Sequence, residues 1–180
     1  MARNVSPALR LKLFDALVTL TILYGSEAWT MTKQLQTKLR TTQRKMMRLL
    51  IHAYKSYDSF QDHVEWIKDA TRRAESVMET HNIKCWTELQ KTRMWDWACK
   101  VAQKHEGRWT HTAAKWQPNA IRVKGRPKTR WHDVINSYLT LATGQTHQHD
   151  EWAATLANAD FGRKHRRRFS LGDNKDDENI

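Results

Sequence analysis

Apolar residues recur at helical spacing along most of this chain, and this periodicity restricts its fold more than any other feature. The first such set is Leu9, Leu13, Ala16, Leu17, Leu20 and Leu23. Ser6 is a suitable N-cap, Pro7 suits the first helical position, and Gly25 is a typical helix stop. The pattern predicts an all-α chain built from small helical bundles.

Breaks in the pattern divide the chain into segments. We predict a helical unit over 6–55, a Trp-rich helical unit over 60–117, a basic linker over 118–130, short helices over 131–160, and a disordered charged tail over 161–180. Hydrophobic residues make up only 39% of the sequence, but nine tryptophans partly compensate because each can bury a large area. We therefore expect a modest core.

Two of the predicted helices have a clear inward side. The helix over 32–51 places Leu35, Leu39, Thr42, Met46 and Leu49 on one side. The helix over 62–82 places Val64, Ile67, Ala70, Ala74, Val77 and Met78 inward. On the other side of the first of these helices the side chains are almost purely cationic, which defines an amphipathic helix.

Positive charge is concentrated rather than spread. The net charge is +12, from 31 Lys and Arg against 19 Asp and Glu. The clusters are Arg40, Arg44, Lys45 and Arg48 on the helix over 32–51; Arg122, Lys124, Arg126, Lys128 and Arg130 in the linker; and Arg163, Lys164, Arg166, Arg167 and Arg168 in the tail. Such clusters favour polyanions, so we predict sequence-independent binding of RNA or DNA through phosphate neutralisation.

Each cluster also has a plainer interpretation, as a solvated helix face, a solvated linker or a frayed tail. Trp131 has two interpretations as well. Its ring either stacks on a base or sugar, or anchors the helix that follows it in the core.

The chain lacks the signals of several other classes of protein. Cys85 and Cys99 form no CxxC pair, so the sequence predicts neither a zinc site nor a disulfide framework and fits an intracellular protein, nuclear or cytoplasmic. No apolar run is long enough for a membrane span, and no secretory signal is visible at the start.

No catalytic, metal or cofactor site emerges from the motifs. The sequence has no GxSxG, HExxH or glycine-rich phosphate loop. His147, His149, Asp150 and Glu151 lie close together and are able to bind an ion if held rigidly, but a polar turn followed by a helix start explains them more simply. We therefore expect no catalytic residues, no metal and no cofactor.

Three segments in order resemble a known family. They are Leu13–Trp29 (LFDALVTLTILYGSEAW), Leu39–Leu50 (LRTTQRKMMRLL) and Gly125–Val134 (GRPKTRWHDV). Together they resemble the region downstream of the polymerase core in non-LTR retrotransposon reverse transcriptases. The resemblance covers roughly residues 9–155.

The resemblance implies that the first two helices are part of a thumb that holds a template–primer duplex. It places Arg40, Arg44, Lys45 and Arg48 toward nucleic acid. The Tyr/Phe-x-Asp-Asp polymerase signature, the palm, the fingers, an endonuclease domain and a CCHC knuckle are all absent. The resemblance thus predicts a catalytically incomplete fragment, with Met1 a secondary start within a truncated element.

Three alternatives stay open. The chain is an accessory part of a polymerase whose core is supplied elsewhere, an interaction protein that docks a partner or self-associates through the 6–24 helix, or a barely folded, non-functional reading frame.

Overall fold

The computed structural model describes residues 5–55, 62–104, 107–116, 129–147 and 151–171, apart from the side chains of Lys115 and Leu171. Within these ranges the chain is helical and contains no strand, which confirms the all-α prediction. The elements are α1 (Pro7–Leu13), a π-helical segment (Phe14–Thr19), α2 (Leu20–Ile22), a 3-10 turn (Ser26–Ala28), α3 (Lys33–Leu50), α4 (His63–Thr80), α5 (Trp86–Ala102), α6 (Trp109–Lys115), α7 (Trp131–Thr143), α8 (Glu151–Ala157) and α9 (Ala159–Leu171).

The chain divides into two compact units, but not at the predicted boundary near residue 60. Unit 1 comprises Met1–Tyr24 and Lys33–Thr87, and unit 2 comprises Gly25–Thr32 and Glu88–Ile180. The difference arises because α4 packs against α3 and so belongs with the first helices. Ala70, Ala74 and Met78 of α4 are buried as predicted, whereas Val64 is exposed.

The first helix begins and ends as its sequence predicts, but its middle is wider than an α-helix. The Ser6 side chain accepts a hydrogen bond from the Leu9 amide, and Gly25 adopts a left-handed conformation with φ of 66°. The π-helical pattern pairs residues five apart. It brings Phe14 to a 5.9 Å stack on Trp86, while Thr19 accepts the Trp86 indole N–H at 2.9 Å.

A buried glutamine organises the middle of unit 1. Gln43 of α3 donates from Nε2 to the Lys84 carbonyl and accepts from the Trp86 amide, both at 2.9 Å. The predicted inward side of α3 is therefore partly wrong, because Leu39, Gln43 and Met47 are buried while Thr42 and Leu49 are exposed. With both amide atoms bonded, a polar residue is stable in a core position.

Tryptophans build the core of unit 2. Trp95 and Trp152 are fully buried, and Trp95 contacts Phe169 of α9 and Tyr138 of α7 at ring distances of 4.8 and 5.4 Å. The Trp95 indole N–H donates to the Gly162 carbonyl at 2.8 Å. One large ring thus joins α5, α7 and α9.

The prediction of disorder over 161–180 is wrong as far as residue 171, because α9 is a regular helix packed on this core. Its inward residues are Phe161, Gly162, His165 and Phe169, in which His165 lies three residues after the glycine and four from each phenylalanine. The order of α9 is explained by this small apolar stripe, which is hard to recognise in the sequence because arginines surround it. Residues 172–180 lie outside the described part of the chain.

Candidate nucleic-acid interface

On α3, the predicted basic cluster is partly occupied by α4. The Arg44 guanidinium bonds the Glu75 carboxylate, with Nη2 at 2.6 Å and Nε at 2.8 Å from Oε1. The Arg48 Nη1 donates to the Thr71 hydroxyl at 3.0 Å. Arg40 is partly buried, and Lys45 is exposed. Two of the four predicted contacts therefore also stabilise the packing of α3 on α4.

On α9, the predicted basic cluster lies on a solvated helix face. Arg163, Lys164, Arg167 and Arg168 are exposed, the first and third opposite the buried stripe and the other two at its edge. Arg163 bonds Asp160 at 2.5 Å, but both side chains are largely solvated, so the pair is weak and exchangeable. We call these four residues the α9 basic face.

The fifth cation of this cluster has a different role. Arg166 forms a two-point bond to Asp96 of α5, with Nε–Oδ1 and Nη2–Oδ2 distances both of 2.6 Å. The hydrogen bond to Asp96 raises the pKa of Arg166. Planar guanidinium–carboxylate pairing fixes orientation as well as charge. Arg166 therefore orients α9 rather than facing a ligand.

Close packing holds the α9 basic face in place. A Cβ atom at Gly162 would lie 2.8 Å from the Cys99 Sγ, so only glycine permits this approach of α9 to α5. Burial is the main cause that raises the pKa of Cys99 to about 11, which keeps the thiol protonated. Side chains on a packed helix present a more defined surface than those on a frayed tail.

His165 adds no charge to this face near neutral pH. Its buried ring stacks on Phe161 at 4.2 Å, and its Nδ1 lies 3.4 Å from the Tyr138 hydroxyl. Burial lowers the pKa of His165 from its ordinary value, and the nearby Arg168 and Lys164 lower it further. The face is thus made by lysine and arginine alone.

The linker cluster is mostly beyond what the structure describes. Arg122, Lys124, Arg126 and Lys128 lie outside the described residues. Arg130 is described, and its backbone N–H donates to the Asp133 carboxylate at 2.7 Å, which closes the start of α7. A role of this cluster in binding stays a prediction.

Trp131 is a core anchor, which was one of its two interpretations. Its indole N–H donates to the Glu27 carbonyl at 2.8 Å. Its ring meets Trp97 and Trp152 edge to face, at 5.0 and 5.5 Å. These contacts tie the start of α7 to the core of unit 2.

Sequence reasoning missed the most exposed tryptophans. Trp109 and Trp116, at the two ends of α6, are 85% and 68% exposed. Their spacing of seven residues placed both rings on one side of a short helix, but the sequence offered no sign of which side faces solvent.

The His147 region gives no complete metal site in the described residues. His147 lines a shallow cavity of about 300 Å³ with Asp133 and Thr140. Its Nε2 lies 2.8 Å from the Thr143 hydroxyl, and its Nδ1 lies 3.9 Å from Glu151. Over the described ranges no group of three or more His, Cys, Asp or Glu is placed to hold a metal ion, whereas His149 and Asp150 fall outside those ranges.

In the same described part of the chain, no helix is long and apolar enough to cross a bilayer.

Comparison with known proteins links the chain to mobile elements. It is 30% identical over 139 residues to an uncharacterized transposon-derived protein of Caenorhabditis elegans. The match covers 73% of this chain and 44% of the relative, so the chain spans less than half of the relative's length. The similarity points to a transposon-related origin. No protein-family model matches the chain, and no solved structure matches it.

Proposed function

We propose that this chain binds RNA or DNA without sequence preference, as a catalytically incomplete fragment of a retroelement reverse transcriptase that acts in the nucleus or cytoplasm. The observation that carries the proposal is the α9 basic face, which presents four exposed cations on an ordered helix. The transposon-derived relative supports the origin. The assignment to the non-LTR class depends on the resemblance of the three sequence segments.

The mechanism is electrostatic. Each Lys or Arg that neutralises a phosphate releases condensed counterions, so affinity falls linearly with salt on logarithmic axes. Phosphate contacts position a protein on nucleic acid without reading its sequence. The exposed side chains of α9 are of the kinds that make such contacts, and this mechanism needs no catalytic residue or cofactor.

A salt titration tests the proposal. We expect binding to a generic duplex and to a single strand, with an affinity that falls steeply as salt rises. Replacing Arg163, Lys164, Arg167 and Arg168 with Ala should reduce the salt slope by up to about 4, one for each phosphate that the variant no longer neutralises. Weak binding that is flat with salt would refute the proposal.

A matched control distinguishes binding by the α9 basic face from attraction by the protein's overall positive charge. Lys12, Lys33 and Lys38 are exposed cations of unit 1. Their replacement by Ala, compared with a triple Lys164, Arg167 and Arg168 variant, removes the same charge. Equal slopes for the two triple variants would show that net charge, and not this face, drives binding.

A second candidate function is self-association, and a specific surface favours it. The first helix exposes an apolar stripe along its length, formed by Leu9, Leu13, Leu17, Leu20 and Tyr24. Exposed contiguous apolar surface is typical of interaction sites. Sedimentation over a range of concentrations tests this candidate. Leu17→Glu with Leu20→Glu should abolish any dimer, and a strictly monomeric wild-type chain would exclude it.

The stripe is equally available to a polymerase core supplied elsewhere. Addition of the chain to such a core should then stimulate primer extension, and the Leu17→Glu, Leu20→Glu variant should not. No stimulation by the wild-type chain would exclude the accessory role.

A further inference from the structure

Two tryptophans of this protein lie in solvent, whereas the other seven are buried or partly buried. Trp86, Trp95 and Trp152 are fully buried, whereas Trp109 and Trp116 are 85% and 68% exposed. Tryptophan is a highly buried residue on average. Exposure of one indole at the start of a seven-residue helix and of a second directly after its end therefore points to a ligand.

The remaining residues of α6 keep both rings accessible. Trp109 is the first residue of α6 and Trp116 is the C-cap that follows Lys115, so the helical path puts their two Cβ atoms on the same side, about 10 Å apart along the axis. Thr112 and Ala113, between them, are small and exposed. His111 is buried on another side, and Ala114 packs against the unit 2 core, which fixes the helix beneath the rings.

The chemistry around the rings favours a polyanion over an apolar protein surface. Arg108 is exposed directly beside Trp109, and Lys100 and Lys104 of the same unit are exposed just before it along the chain. The exposed neighbours Thr110 and Thr112 are polar, so the two rings do not extend into a larger apolar patch. Flat aromatic rings next to cations are the usual means of holding bases and phosphates of a single strand.

We propose that Trp109 and Trp116 form a stacking platform for two unpaired bases, so that this protein prefers single-stranded RNA or DNA over duplex. This inference rests on the proposed function and names its ligand. Bases stacked on one another lie about 3.4 Å apart. A spacing of about 10 Å therefore gives each indole its own base from an unstacked strand, whereas the bases of a duplex are paired and out of reach.

The test uses the full chain and three probes. They are a thymidine oligonucleotide of about 15 nucleotides, an abasic strand of the same length, and a duplex hairpin. Wild-type protein should bind the thymidine strand most tightly, with quenching of indole fluorescence. Trp109→Ala and Trp116→Ala should each weaken that binding about tenfold or more. Binding to the abasic strand and to the hairpin should change little, because both engage the protein through phosphates.

Two controls make the outcome specific. Trp109→Tyr with Trp116→Tyr retains aromatic faces and should restore most of the affinity. Leu141→Ala removes an exposed apolar side chain elsewhere in unit 2 and should have no effect.

The outcomes distinguish this inference from the function it depends on. Equal loss on all three probes, or no loss on any of them, would overturn the platform while general binding persisted. Failure of the wild-type chain to bind any probe would instead overturn the proposed function itself.

Discussion

The basic faces of α3 and α9 look alike in sequence and differ in structure. α3 carries six basic residues and no acid, yet Arg44 and Arg48 bond side chains of α4. α9 carries five basic residues and one acid, and among the described residues only Arg166 of these bonds a side chain of another helix. The difference arises because α4 presents Glu75 and Thr71 to α3, whereas the core contacts the Phe161, His165 and Phe169 side of α9 and leaves most of its cations in solvent. The number of charges in a segment thus says little about how many of them face solvent.

The largest expected effect comes from removing the support of α9. Phe169→Ala deletes a buried ring packed on Trp95, and such changes destabilise proteins by about 3–5 kcal/mol. We expect α9 to lose its protection from hydrogen exchange while α3 keeps its own, and urea melts give the loss of stability. If α9 unfolds and the salt slope of binding is unchanged, the order of the α9 basic face is irrelevant to binding. Leu141→Ala, at an 85% exposed position, is the control.

A smaller effect is expected on α3. Arg44→Ala together with Arg48→Ala leaves Glu75 and Thr71 without these partners and should lower the free energy of unfolding by about 1 kcal/mol, since the groups are partly solvated. The exposed Lys45→Ala should stay within about 0.5 kcal/mol of the wild type. Chemical denaturation of the full chain measures both. A stability unchanged by the double variant would show that α4 does not use these cations.

Neighbouring arginines on α9 offer a finer comparison. Arg166→Ala breaks the bond to Asp96 and should lower stability by at most about 1 kcal/mol with little change in salt slope. Arg167→Ala should do the reverse, with stability kept and the slope reduced by about 1. Parallel melts and salt titrations compare the two variants. Identical behaviour would contradict the separation of orienting and ligand-facing roles.

The smallest effect concerns pH and is confined to α9. The pKa of His165 is lowered below its ordinary 6.5 in the folded state, mainly by burial. The unfolded chain therefore binds this proton more readily, and the stability that neutral His165 contributes is present above pH 6.5 and lost as pH falls toward the folded pKa. His165→Gln should flatten this part of the pH dependence in thermal melts. A slope equal to that of the wild type would assign it to other groups.

Much of the helical framework follows from the sequence. Periodic apolar residues, the Ser6 cap and the Gly25 stop predicted the first helix, because these signals are local. The π-helical segment did not follow from them, since it depends on how Phe14 and Thr19 meet Trp86, which lies far along the chain.

Buried polar residues and the exposure of the cations were less predictable than the helices. Gln43 was missed because a polar residue counts as exposed until both of its partners are known. α9 was missed because few apolar residues anchor it, and its order depends on Gly162 fitting against Cys99. Charge clusters are visible in the sequence, but whether a cation meets solvent or a carboxylate is decided by the facing helix.

The contact between Gly162 and Cys99 also makes the reactivity of this thiol a measure of how α9 packs on α5. The thiol lies beneath α9, and its high pKa leaves it almost without reactive thiolate at neutral pH. In a Cys85→Ser background, the rate at which Cys99 is alkylated should then rise whenever α9 separates from α5, because separation exposes the half-buried thiol. Comparing the alkylation rate with and without nucleic acid would show whether a bound strand slows the opening of α9.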